Sequence, residues 1–157
     1  MAPPSSFLIS GIFALSGGDR HPDQRHYTNY LSSIDFVNPN DFLNVSIRKY
    51  TPLAESLYED QTLAFVVAKA ILPADEEGML DAIYCAQFES SVADHLPQNP
   101  THIAHAAGIV TSVDNGVITR TFTLSVSEYV RSERRNFSVK YIHLLICPAP
   151  FSFLYIG

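Results

Sequence analysis

Residues 104–143, AHAAGIVTSVDNGVITRTFTLSVSEYVRSERRNFSVKYIH, read as three consecutive β-strands with a basic hairpin between the second and third. Short runs rich in Val, Ile, Thr and Phe, separated by polar turns, are the pattern of a β-barrel or sandwich. Side chains of a strand alternate between its faces. In the middle strand Ile118, Phe122, Leu124 and Val126 therefore share one face, and Thr119, Thr121, Thr123, Ser125 and Ser127 share the other. The first face predicts a core, the second a solvated surface. Asp114-Asn115-Gly116 predicts a tight type I′ hairpin turn, because Asn and Gly both tolerate positive φ. The third strand puts Phe137, Val139 and Tyr141 on one side and Ser138 and Lys140 on the other, and Arg131 to Arg135 before it is too polar to bury.

The strand start at Gly108 to Val110, the Phe122 to Val126 run and the basic loop before Phe137 resemble the opening strands of single-stranded-DNA-binding OB domains. That resemblance covers about forty residues. It implies a small barrel that binds a single strand of DNA or RNA without catalysis. An OB barrel needs five strands. The expectation is thus a mainly β fold with an OB-like small barrel, either incomplete or extended by N-terminal strands. The chain as a whole, including Leu63 to Ile71, Leu80 to Tyr84 and SEYVRSERRNFSV, also resembles a multi-copy, largely uncharacterised family of mushroom-forming fungi. No activity follows from that second resemblance.

Charge singles out the same region. The chain has a net charge of −6, unfavourable for phosphate contacts if spread evenly. Residues 1–103 carry five Lys/Arg against thirteen Asp/Glu, whereas residues 104–157 carry five against three. Arg131, Arg134, Arg135 and Lys140, with Tyr129 on the Thr/Ser face, form the candidate nucleic-acid site: cations for the backbone and an aromatic platform for a base. Glu128 and Glu133 dilute it. The alternative is a protein-interaction module that pairs an edge strand or the hairpin with a partner chain or a second copy of itself.

The rest of the chain divides into an acidic β-rich region, 1–101, the OB-like segment, 102–146, and an apolar tail, 147–157. Phe7 to Leu15 reads as a buried first strand ahead of a signal peptide, since no Lys or Arg precedes it. Asp19 to Thr28 reads as loop, Asn38 to Asp41 as a turn, Phe42 to Lys49 as a strand, and Pro52 to Glu59 as a short helical or irregular segment. Leu63 to Leu72 is apolar on both faces and predicts a central, doubly covered strand. Met79 to Phe88 predicts another, with Ala82, Tyr84 and Phe88 facing one way and Asp81 and Gln87 the other. No internal repeat is evident. The uncharged tail, Leu144 to Gly157, is either one further strand or a gene-model artefact, because Lys140-Tyr141-Ile142 can be encoded with a GT splice donor.

No metal or cofactor is expected. The pairs His21/His26 and His102/His105 lack a further ligand of regular spacing, and Asp75-Glu76-Glu77 lies in a solvated turn. Asp94-His95 has no nucleophile elbow near it. Cys85 and Cys147 read as reduced thiols. No stretch reaches the roughly eighteen apolar residues of a membrane helix, and the expected location is intracellular, nuclear or cytoplasmic.

Overall fold

Alternation of Phe7, Ile9, Phe13 and Leu15 makes the first strand, β1 (Ser6–Arg20), bury one face as far as Leu15. The computed structural model describes residues 6–35, 42–73, 76–89, 102–116, 119–131, 133–144 and 152–156, with side chains described outside 133, 141–144 and 152–156. Over these residues the fold is mainly β, without helix. After β1 come β2 (Tyr27–Asp35), β3 (Phe42–Tyr50), β4 (Thr62–Ile71), β5 (Gly78–Gln87), β6 (Ile103–Ala107), β7 (Ile109–Asn115), β8 (Thr119–Val130), β9 (Glu133–Leu144) and β10 (Ser152–Ile156).

Strand β1 is long enough to serve two neighbours on one path. Leu8 to Leu15 pair antiparallel with β4, and Ser16 to Arg20 pair with β2. The hand-over sits at a register shift between Ser16 and Asp19, where Gly17 takes φ 62°, a left-handed conformation that costs glycine little. Strand β2 pairs with β3, β3 runs parallel to β5, and β5 pairs with β4, which returns to β1. The mixed sheet is therefore ring-like, with β6 added along Ser6 to Ser10. Its interior holds Phe13, Leu15, Tyr30, Val45, Ile47, Val66 and Leu80, each at most 1 % exposed.

The ring is made by residues 6–87, whereas the pattern in 102–146 had suggested barrel character there. The later segment forms β6 and most of a second sheet, ordered β10-β9-β8-β7, whose two outer strands each have one partner. Only Gly108 separates β6 from β7, so the chain crosses from one sheet to the other at a single residue. A Cβ there would strike the Ser125 carbonyl oxygen, which makes glycine a requirement of the crossing. On the inward face of the second sheet Val126, Val130 and Val139 are fully buried, and Phe137 meets the Phe7 ring edge-to-face at 5.4 Å. Val126 and Val139 belong to the same apolar cluster as the ring interior.

Several local expectations change. The polar stretch Asp19 to Thr28 is shorter as a loop, since β1 runs through Arg20 and β2, not anticipated, starts at Tyr27. Strand β4 is central but covered on one face, with Phe65 and Lys69 exposed on the other. A bulge between Val67 and Ala68 leaves Ile83 unopposed and turns Tyr84 to the same outer side as Asp81. The type I′ turn at Asn115-Gly116 does not form: positive φ among the described residues occurs at Gln61, Arg131 and Gly17, and Asn115 stays in β7 opposite Arg120. Pro52 to Glu59 is irregular. In the tail, Ser152 to Ile156 pairs antiparallel with β9 from His143 to Val139. The turn at 38–41, Ile118, Asp75, Asp94-His95 and Cys147 lie outside the described residues.

Candidate functional site

The β8–β9 hairpin separates the five expected site residues. Val130 still pairs with Glu133 at the end of the hairpin, and Arg131 follows Val130 with φ 51°. Its guanidinium reaches the ring and donates to the Ser46 carbonyl at 2.6 Å, the Ser46 hydroxyl at 2.9 Å and the Leu80 carbonyl at 3.5 Å. Arg131 is therefore half-buried, contrary to the expectation of a solvated loop, because three oxygens of β3 and β5 replace its water. Arg135 turns inward and pairs with Glu76 at 2.8 Å. Tyr129 and Arg134 face each other across the hairpin on its outer side, Tyr129 57 % exposed and the Arg134 Nε donating to Ser127 Oγ at 2.8 Å. Lys140 lies on that same outer face, opposite Thr123. Tyr129, Arg134 and Lys140 thus share one surface, and Arg131 and Arg135 bind the hairpin to the ring. Glu128 faces inward and accepts from the Phe7 backbone N–H at 2.8 Å.

A second aromatic and cationic cluster, unforeseen in the sequence, occupies the outer face of β2 and β3. Period-two alternation places Tyr27, Asn29 and Leu31 outward on β2, opposite Tyr50, Arg48 and Ser46 on β3. Tyr50 is 56 % exposed. His26, the last residue of the β1–β2 loop, stacks on it with centroids 6.0 Å apart, and Tyr27 meets it edge-to-face at 5.7 Å. The Arg48 guanidinium lies 4.7 Å from the Tyr27 centroid while both its arms bond the Asp81 carboxylate at 2.9 and 2.8 Å. That fork holds the Arg48 pKa above its ordinary value. The signal was available in Tyr27-Asn29-Leu31, but the polar residues before it and Ser32-Ser33 after it masked the strand.

The loops beside this face are tied down. Arg20 donates to the carbonyls of Arg25, Thr51, Pro52 and Glu55, fastening the β1–β2 and β3–β4 loops together. His21 Nδ1 accepts from the backbone of Asp23 and Gln24, so it caps a loop. Inside the ring Lys49 bonds Glu55 at 2.6 Å and lies 4.4 Å from the Tyr58 centroid. Burial opposes its charge, and the hydrogen bonds to Glu55 and Tyr58 overcome that penalty and raise its pKa. Burial pushes the Cys85 thiol up, leaving it protonated at neutral pH and a poor nucleophile. Among the described residues no three His, Cys, Asp or Glu side chains converge on a metal-sized site. No helix among them is long and apolar enough to cross a membrane.

No family model matches the chain, and no curated protein matches it significantly.

Proposed function

We propose that the ring is an OB-like barrel and that the protein is a non-enzymatic module that lays single-stranded nucleic acid across the outer face of β2 and β3. The strand order β1-β2-β3-β5-β4-β1, with β3 parallel to β5, supports the barrel reading. OB barrels use the β2–β3 face and its bordering loops for oligonucleotides. The observation that carries the functional reading is the cluster of exposed His26 and Tyr50 with half-buried Tyr27 and Arg48 beside them, on that face and next to the β1–β2 loop. Aromatic platforms hold bases by stacking at about 1–3 kcal/mol each. Arg48 is already bonded to Asp81, so stacking outweighs phosphate contact and affinity falls only shallowly with salt.

Fluorescence anisotropy with labelled oligothymidine tests this. Tyr27→Ala with Tyr50→Ala should weaken binding at least about tenfold with the fold intact, as loss of stacking for one or two bases implies. Unchanged affinity in that variant, or no binding by the parent at low salt, overturns the reading.

A second reading, a protein-interaction module, is favoured by two adjacent uncharged rows on the outer face of β6, β1, β4 and β5, next to the charged row of Lys69 and Asp81. Ile103, Ser10, Val67 and Tyr84 form one uncharged row, and Ile12, Phe65 and Ala86 the next. Ile83, Tyr84 and Ile103 are more than half exposed. The edge strand β7 is blunter, because the register shift between Val110 and Ser112 bends it.

A further inference from the structure

We infer that β6 to β9 is a second copy of the β1–β3 meander, and that its outer face is a second binding face for the same class of ligand. The inference rests on the reading of the β2–β3 face given above. Both meanders begin with an extended stretch that changes partners at a glycine: β1 passes from β4 to β2 around Gly17, and β6–β7 passes from β1 to β8 at Gly108. Each continues as an antiparallel hairpin, β2–β3 in one and β8–β9 in the other.

The third strands share a five-residue segment of like character. Asn44-Val45-Ser46-Ile47-Arg48 on β3 corresponds to Asn136-Phe137-Ser138-Val139-Lys140 on β9. Register agrees as well, since Asn44 lies opposite Ser33 and Asn136 opposite Ser127. So do the faces. Asn44 and Asn136 are exposed, Ile47 and Val139 are both 0 % exposed, and Arg48 and Lys140 are outward-facing cations. A fixed-period search misses the repeat because its spacing drifts: Asn44 and Asn136 are 92 positions apart, Ser33 and Ser127 are 94. The drift is taken up in the hairpin connection, which is two residues long between Val130 and Glu133 and longer between Asp35 and Phe42.

The copies differ in where the aromatic group stands. In the first, Tyr27 and Tyr50 face each other at the start of β2. In the second, Tyr129 stands at the end of β8 opposite Arg134, three cross-strand pairs of Ser, Asn and Thr away from Lys140 on the same face. An exposed ring beside one cation, with hydroxyl and amide groups leading along the same face to a second, is a base platform with backbone contacts at either end.

Native mass spectrometry with an oligothymidine of about four nucleotides, near the shortest length one OB fold covers, tests the inference. The parent protein should take up two copies. Tyr27→Ala with Tyr50→Ala should retain one, and Tyr129→Ala with Arg134→Ala and Lys140→Ala should also retain one; all these side chains lie on outer faces, and circular dichroism checks the fold. A parent that saturates at one copy, lost in the first variant and kept in the second, overturns the second face and leaves the ring face standing. A single copy lost only in the second variant overturns the ring-face reading and the pairing of the two faces. Absence of any bound copy overturns both readings.

Discussion

Ile47 on β3 and Val139 on β9 are both fully buried, yet they are buried by different things. Ile47 sits on a strand paired on both edges and points into the interior that the ring itself encloses. Val139 sits on a sheet that ends at β7 on one side and β10 on the other, and it is covered by packing that sheet on the ring. Closure lets one meander supply its own core. The open meander borrows its core from the neighbour, through Phe137 on Phe7, Arg131 on Ser46 and Arg135 on Glu76. If that is so, the two sheets unfold together.

The largest expected effect tests this shared core. Ile47→Asp and Val139→Asp each place an unpaired carboxyl group where no water reaches; a neutral unpaired polar group there costs roughly 2–7 kcal/mol and a charged one more, comparable to the whole stability of an ordinary domain. Both variants should lose the folded state at 25 °C or melt in one transition far below the parent, followed by far-ultraviolet circular dichroism and by tyrosine fluorescence. A Val139→Asp protein that keeps a separate high-temperature transition would show that the ring folds alone. Thr123→Asp, on the outer face of β8, should melt close to the parent, which distinguishes burial from mere presence in the sheet.

Alternation made most of the strands legible, including β8, whose Leu124 and Val126 face the core as their spacing implies. Closure was not legible, because it depends on β3 lying beside β5, a pairing between residues such as Val45 and Gly78 that no local pattern encodes. The candidate site was half legible for a similar reason. Tyr129, Arg134 and Lys140 share a face by period two alone. That Arg131 reaches Ser46, 85 positions away, and that Arg135 meets Glu76, follow from the packing of one sheet on another. The β2–β3 cluster was hidden because its strand carries Thr, Asn and Ser among its aromatics, so its composition resembles a loop.

A smaller effect isolates one tie between the meanders. Glu128 is 4 % exposed, and its carboxylate accepts from the Phe7 N–H at 2.8 Å and the Tyr129 N–H at 2.9 Å, with Lys69 at 3.5 Å. Ile34 holds the corresponding place in the first copy, opposite Leu43 where Glu128 is opposite Arg135. The carboxylate is thus a device of the inter-sheet contact. Glu128→Ala leaves a buried N–H of β1 without an acceptor and should destabilise by about 1–3 kcal/mol. Lys69→Ala should cost less than about 1 kcal/mol, because that ammonium is half exposed and water screens it. Urea unfolding of the two variants checks the order. Equal losses would assign the stabilisation to the ion pair and remove the backbone contact as the tie.

The smallest effect concerns the strand that joins the two regions. His102 precedes β6, and its ring lies 4.5 Å from that of Phe13 inside the sheet that β6 extends. Its Nε2 is buried and has no hydrogen-bond partner among the described residues. Burial lowers its pKa below 6.5, outweighing the hydrogen bond with the Ile12 backbone and the charge of Asp35, which favour the proton. The unfolded chain therefore takes up this proton first as the pH falls. Stability is complete above about pH 6.5 and declines through the window between that value and the lower folded one. His102→Phe keeps a flat ring against Phe13 and removes the titration. Its melting temperature should fall less than the parent's between pH 7.5 and pH 5.5, by an amount smaller than either effect above. If parent and variant lose stability in parallel over that range, the acid sensitivity belongs to other groups, and β6 joins the sheets without a titratable element.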